Sequence, residues 1–133
     1  MVADIGTSQN TVIMVVEDEQ VIRETLTLAL EIEGYQVFTA ANGREGLDLL
    51  ATIPKPCLIL LDLMMPVMNG WEFMDKINKT PAFSDIPIVV VTAFRDKART
   101  IKEKGVLLKP FDLTVLYATV EKWCGKPGYV DSV

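Results

Sequence analysis

The hydrophobic pattern of the chain alternates between short apolar runs and longer stretches with helical spacing. Five apolar runs are of strand length and rich in β-branched residues, which is typical of strands buried on both faces of a sheet. Between them, apolar residues recur every three to four positions, and this spacing predicts amphipathic helices. The predicted strands are Thr11–Val16, Tyr35–Ala40, Cys57–Asp62, Ile88–Thr92 and Val106–Leu108.

Start and stop signals delimit the predicted helices. Gly34 closes the first helix, the stretch Asn42–Glu45 has the form of a capping box, Asn69 starts the third helix, and Asp112 caps the last. The basic segment Arg95–Lys104 predicts a further helix with a solvated face. Five strands alternating with five helices indicate an α/β fold with right-handed crossovers and a doubly wound parallel sheet covered by helices on both faces.

The length and charge of the chain limit the classes of protein to which it could belong. With 133 residues, the chain suits one domain, which we expect at residues 11–124 between flexible tails at 1–10 and 125–133. The net charge of -5 argues against general nucleic-acid binding. No apolar run is long enough to span a membrane, and the first residues do not resemble a signal peptide. We therefore expect a cytoplasmic protein.

The cysteine and histidine content narrows the chemistry. Cys57 and Cys124 have neither a disulfide-framework nor a metal-binding spacing, so we expect two free thiols in a reducing cytoplasm. The chain has no histidine. This excludes a Ser-His-Asp or Cys-His centre and a histidine-ligated metal.

Polar residues follow the ends of four predicted strands. Strand one ends at Glu17-Asp18-Glu19, strand three at Asp62, strand four at Thr92 and strand five at Lys109. Taken singly, most are ordinary: an acidic residue favours the first turn of a helix, and Lys-Pro is a common turn. Asp62 has no such structural explanation after four apolar residues. Because ligands of open parallel sheets bind at the carboxyl ends of the strands, we expect these side chains to share one pocket.

The predicted pocket favours phosphoryl chemistry. Adjacent carboxylates repel one another unless a cation lies between them, and an all-oxygen ligand set suits Mg²⁺. A carboxylate next to bound Mg²⁺ is able to attack phosphorus and form an aspartyl phosphate. Lys109 and the metal would stabilise the charge of the transferring group, and Thr92 would offer it a hydrogen bond.

The chain resembles the receiver domain of two-component response regulators in four segments and in their order. These segments are VVEDE, LLDLMMPVMNG, VVVTA and LLKPF. The resemblance covers residues 11–124 and implies a flavodoxin-like strand order 2-1-3-4-5. It also implies a cis peptide bond between Lys109 and Pro110. The implied site consists of a phosphoacceptor (Asp62), Mg²⁺ ligands (Glu17, Asp18, Asp62 and the backbone carbonyl of Met64), a switch hydroxyl (Thr92) and a lysine that contacts the phosphoryl group (Lys109).

The chain departs from the family pattern at three places. Glu17 stands where an aspartate is common, and Val106 replaces the aromatic residue that usually reorients when the threonine moves. The segment between Thr92 and Lys109 is shorter than usual by roughly one helical turn. We therefore expect Phe94 to serve as the mobile switch element. Met64 and Phe94 flank the path of the attacking water in the resembling family, and both are apolar here.

The resulting expectation is a stand-alone receiver in a phosphorelay. It would be phosphorylated on Asp62 by a histidine kinase or histidine phosphotransfer protein, and it would act on a downstream protein target without contacting nucleic acid directly or inserting into a membrane. It would catalyse its own phosphorylation without being an enzyme in the ordinary sense. Two alternatives stay open: a degenerate receiver that binds partners without phosphorylation, and a haloacid dehalogenase-type phosphohydrolase. The latter wants a second acid where Met64 stands.

Overall fold

The computed structural model describes residues 10–94 and 105–127. Its sheet has five parallel strands in the order β2-β1-β3-β4-β5, so the expected α/β class and strand order are confirmed. The strands are β1 (Val12–Val16), β2 (Gln36–Ala40), β3 (Leu58–Asp62), β4 (Ile88–Thr92) and β5 (Val106–Leu108).

Four helices lie within the described residues: α1 (Gln20–Ile32), α2 (Gly43–Leu50), α3 (Gly70–Asn78) and α4 (Leu113–Cys124). Side chains cap three of them, because Asn42, Asn69 and Asp112 each accept a hydrogen bond from a backbone N–H in the first turn. None of these described helices is long and apolar enough to cross a membrane. The predicted basic helix at 95–104 and the tail residues 1–9 and 128–133 lie outside the described residues.

Two apolar layers enclose the sheet. Every residue of β1, β3 and β4 is buried, as their continuous apolar sequences predict for strands covered on both faces. Alternate residues of each strand point to opposite layers. One layer packs against α1 and α4, and the other against α2 and α3.

The prediction of two free thiols is wrong, because Cys57 and Cys124 form a disulfide with a Cα–Cα distance of 5.5 Å. Cys57 directly precedes β3, and Cys124 is the last residue of α4. The two are separated by 67 positions in the sequence, and they meet only because α4 packs across the sheet. Spacing along the chain carries no sign of this proximity.

Candidate functional site

Three carboxylates meet at the carboxyl edge of the central strands. Glu17 and Asp18 follow β1, and Asp62 ends β3, so parallel pairing of the two strands brings the acids to the same edge. One carboxylate oxygen from each residue lies within 4.8 Å of the others. Glu17 is 1% exposed and Asp62 6% exposed, so two of the three charges are almost fully shielded from solvent.

Lys109 follows β5 and reaches into this acidic cluster. Its Nζ lies 2.8 Å from Glu17 Oε1, 3.8 Å from Glu19 Oε1 and 4.0 Å from Asp62 Oδ2. The ammonium group therefore pairs first with Glu17, and Asp62 is only a distant partner. At 4.0 Å from Asp62 Oδ2, the ammonium group is nevertheless close enough to contact a group carried by Asp62.

The surroundings of Asp62 disfavour its charged form. The pKa of Asp62 is raised from 3.8 to about 7, mainly because the carboxylate is buried and secondly because the Glu17 charge lies nearby, while Lys109 opposes both effects. Near neutral pH the site is thus short of positive charge. An all-oxygen set with this deficit fits a hard divalent cation such as Mg²⁺.

The loop after β3 places Met64 beside the phosphoacceptor candidate. The Met64 N–H donates a hydrogen bond to Asp62 Oδ1 at 3.3 Å, and the Met64 side chain is 42% exposed. A cavity of about 330 Å³ opens here, and its lining includes Asp62, Lys109, Met64 and Phe94. Acidic and apolar side chains thus share one opening.

Thr92 and Phe94 are joined by a local hydrogen bond. Thr92 ends β4 and is fully buried, and its Oγ1 accepts the Phe94 N–H at 3.1 Å. Phe94 is 48% exposed at the cavity. Val106, by contrast, pairs with Val90 at the start of β5 and does not line this cavity. The structure thus brings Phe94 to the site and leaves Val106 outside it.

Two residues that sequence reasoning missed shape the site. Arg23 Nη1 donates to the backbone carbonyls of Glu17 at 2.8 Å and Asp18 at 3.3 Å, which fixes the acidic turn. A Cβ on Gly70 would lie 2.8 Å from the Asp62 carbonyl oxygen and from Leu63 Cα, so only glycine permits α3 to start this close to β3. Asn69-Gly70 gave a sequence signal for a helix start, whereas Arg23 resembled any polar residue of an amphipathic helix.

A second opening adjoins the first. A cleft of about 470 Å³ lies between α1 and the start of α4, lined largely by apolar side chains that include Ile22, Leu26, Phe111 and Leu113, with Lys109 at its edge. The peptide bond from Lys109 to Pro110 is cis, as the resemblance implied.

Comparisons with known proteins agree with this geometry. Residues 13–121 match the family described as response regulator receiver domain. Sporulation initiation phosphotransferase F of Bacillus subtilis is 35% identical over 119 residues, which are 86% of this chain and 94% of that protein. Response regulator MprA of Mycolicibacterium vanbaalenii is 42% identical over 111 residues. Those residues are 80% of this chain and 47% of MprA, so the chain spans about half the length of that relative.

Solved structures show the same fold. Response regulator TrrA of Thermotoga maritima, solved in complex with Mg²⁺-BeF, superposes with a TM-score of 0.75 at 32% identity, covering 85% of this chain and 98% of that one. Chemotaxis response regulator CheY4 of Vibrio cholerae superposes with a TM-score of 0.76 at 29% identity, covering 85% of this chain and 98% of that one. Since the family match extends over most of its length, this chain belongs to the response regulator receiver domains, signalling modules of two-component systems in which aspartate phosphorylation and Mg²⁺ binding in an acidic pocket are general.

Proposed function

We propose that this receiver accepts a phosphoryl group on Asp62 from a histidine kinase or histidine phosphotransfer protein and then binds a downstream protein. The observation that carries the proposal is the position of Asp62. It ends the central strand β3, shares a cluster with Glu17 and Asp18, and lies 4.0 Å from Lys109. A nucleophilic carboxylate, anionic metal ligands and a cation for the phosphoryl oxygens are thereby within reach of one another.

Each residue has a distinct part in the transfer. An Asp62 carboxylate oxygen forms the bond to phosphorus, while the bond from phosphorus to the donor's leaving group breaks. Lys109, whose Nζ lies 4.0 Å from Asp62 Oδ2, contacts a phosphoryl oxygen and neutralises part of its charge. Thr92 Oγ1 accepts the Phe94 N–H, so its own hydroxyl proton is available to a phosphoryl oxygen.

Glu17, Asp18, Asp62 and the backbone carbonyl of Met64 would hold Mg²⁺. The bound ion would supply the positive charge that the site lacks and a coordination position for a phosphoryl oxygen. Support comes from the three clustered carboxylates and from the raised pKa of Asp62. Arg23 keeps the turn that carries Glu17 and Asp18 in place through its two backbone hydrogen bonds.

The apolar cleft beside Lys109 is our proposed docking place for the protein phosphodonor, because Ala93 and Lys109 line both this cleft and the site cavity. Leu113 lies at the first turn of α4 and is 47% exposed. We expect Leu113→Asp to slow phosphorylation by the protein donor at least about tenfold, since a charge enters an apolar contact. An acidic residue suits a helix N-terminus, so folding is preserved.

Labelling by acetyl phosphate, which needs no docking surface, should be unchanged in Leu113→Asp protein. That comparison is the control for an intact site. Equal rates with the protein donor for the wild type and the variant would contradict docking in this cleft.

We further propose that the protein acts as a stand-alone receiver in the cytoplasm, passing its signal by binding a protein target. The support is the alignment along 94% of the sporulation phosphotransferase. Pulldown from a lysate with and without beryllofluoride tests this, and a target retained equally in both states would contradict signalling through phosphorylation.

We propose Phe94 as the switch element, whose movement follows that of Thr92. Val106 occupies the position where the family usually has an aromatic switch residue. When Thr92 turns toward the phosphoryl group, the hydrogen bond from Phe94 N–H must change, and the exposed ring moves with it. Phe94 and Met64 are both apolar and line the cavity, so they should also hinder an attacking water. We expect Phe94→Ala to speed dephosphorylation severalfold and to weaken the amide-exchange response to beryllofluoride; unchanged values of both would remove Phe94 from the switch.

Incubation with acetyl phosphate and Mg²⁺ tests the proposed function and separates its alternatives. An active receiver gains one base-labile phosphoryl group. A degenerate receiver gains none, and a phosphohydrolase turns the donor over without retaining an adduct. The expected result is one stable adduct per chain, and either other pattern would overturn the proposal.

A further inference from the structure

We propose that the Cys57–Cys124 disulfide is a reversible redox crosslink that controls how firmly α4 is attached to the sheet. A cellular dithiol would open it, and an oxidant would restore it. The proposal goes beyond phosphorylation of Asp62 and does not depend on it. It rests on the proposed cytoplasmic location, because reductants there would be able to open the crosslink. In reducing compartments a protein disulfide is usually transient, and redox sensing is one of its common roles.

The crosslink adds a covalent bond between two elements that pack together in one apolar layer. The Cys57 N–H donates to the Val12 carbonyl at 2.8 Å, which fixes Cys57 to the edge of the sheet. Cys124 is the last residue of α4. The bond thus ties the end of the final helix to the start of β3, at the opposite end of that strand from Asp62.

The fold does not need this bond to keep α4 in place. Leu116 and Val120 are fully buried in the layer beneath the helix. Tyr117 Oη donates to the Ala29 carbonyl at 3.1 Å, and Tyr35 Oη donates to the Gly125 carbonyl at 2.6 Å. A domain of this size buries enough apolar surface to fold without crosslinks, unlike the small secreted domains that depend on them. Both redox states should therefore be folded, as a switch requires.

The two cysteine residues differ in exposure, and we infer the order of the reaction from this difference. Cys124 is only 8% exposed, whereas Cys57 is partly exposed. A dithiol thiolate attacks Cys57 Sγ, the S–S bond breaks, and Cys124 leaves as a thiolate that takes up a proton. The second thiol of the reagent then attacks the mixed disulfide and releases Cys57. Two electrons and two protons pass to the protein, and the dithiol becomes a disulfide.

Opening the crosslink should affect the last turns of α4 first. Without it, the helix end keeps its apolar contacts and the Tyr35 hydrogen bond but loses its covalent tie, so local opening becomes more frequent. The other end of the same helix begins with Leu113, which lines the cleft beside Lys109. The redox state of the disulfide would thereby affect the proposed docking cleft, because α4 connects the two.

Thiol titration and amide exchange on the full chain test the proposal. Oxidised protein should show no reactive thiol, even when denatured. Dithiothreitol added without denaturant should release two thiols, and amide exchange at residues 118–124 should then rise about tenfold or more, while β1 changes much less. Reoxidation should reverse both effects.

Cys57→Ser and Cys124→Ala are the matched controls. Amide exchange in both variants should match that of reduced wild-type protein and should not change when dithiothreitol is added. If either variant fails to fold, reduced wild-type protein is the only reference. Three outcomes would overturn the proposal: two reactive thiols after treatment with an oxidant, a disulfide that dithiothreitol reduces only after denaturation, or equal α4 exchange in both redox states. Because no readout involves phosphorylation, failure here leaves the role of Asp62 untouched, and the reverse also holds.

Discussion

Asp62→Asn protein is expected to gain no phosphoryl group from acetyl phosphate and Mg²⁺, whereas wild-type protein gains one. An amide oxygen is a far weaker nucleophile than a carboxylate, and the substitution also removes one ligand from the carboxylate cluster. Intact-protein mass measured after a fixed incubation gives the stoichiometry directly. Asp48→Asn is the matched control, because the Asp48 side chain is exposed on α2 and pairs only loosely with Arg44 at 4.0 Å; it should label as the wild type does.

The same substitution should stabilise the metal-free protein in a pH-dependent way. The folded-state pKa of Asp62 is raised from 3.8 to about 7, so its contribution to stability is fully present below about pH 4 and is lost as pH rises through 7. Asp62→Asn removes this loss, and its advantage should approach about 4 kcal/mol above pH 7. Urea unfolding in a chelator at pH 5 and pH 8 measures it. An advantage that is equal at both pH values would contradict the raised pKa.

We expect Lys109→Met to lower the stability of the protein and also to weaken its conformational response to a phosphate mimic. The substitution leaves the Glu17 carboxylate, which is 1% exposed, without the cation that lies 2.8 Å away. Removing one partner of a buried pair costs about 3–5 kcal/mol. We expect that loss in a chelator and a partial recovery in Mg²⁺, because the metal supplies positive charge to the same carboxylates.

The response of Lys109→Met to a phosphate mimic should also be lost. With beryllofluoride and Mg²⁺, amide exchange around Thr92 and Phe94 should change in wild-type protein and hardly at all in the variant. Lys76→Met, a change at an exposed residue of α3, is the control and should respond normally. A normal response in Lys109→Met would reduce Lys109 to a residue that stabilises Glu17.

Local sequence signals predicted the strands and helix starts well. The run Leu58–Asp62 forms a fully buried strand, and Asn69 and Asp112 cap helices where predicted. These features depend on side chains within a few residues, so period and capping chemistry suffice to find them. The convergence of Asp62 with the acids after β1 was also predictable, because all strands are parallel and their carboxyl ends share one edge.

Features that depend on tertiary contact were not predictable in the same way. The disulfide joins Cys57 to Cys124 across 67 positions, and no spacing rule connects them. The sequence placed Lys109 in the pocket but did not show that Glu17 is its nearest partner, since that depends on how far each side chain reaches. Arg23 was missed because its hydrogen bonds go to backbone carbonyls, which carry no residue-type signal.

Peptide mapping of the adduct shows whether Asp62 is the residue that carries the phosphoryl group. Wild-type protein is incubated with acetyl phosphate, quenched in acid to preserve the acyl phosphate, digested and analysed by mass spectrometry, once with Mg²⁺ and once with a chelator. We expect a single modified peptide, with the added mass on Asp62 and only in the Mg²⁺ sample. An adduct on Asp18, Glu19 or any residue other than Asp62, or equal labelling in the chelator, would contradict it.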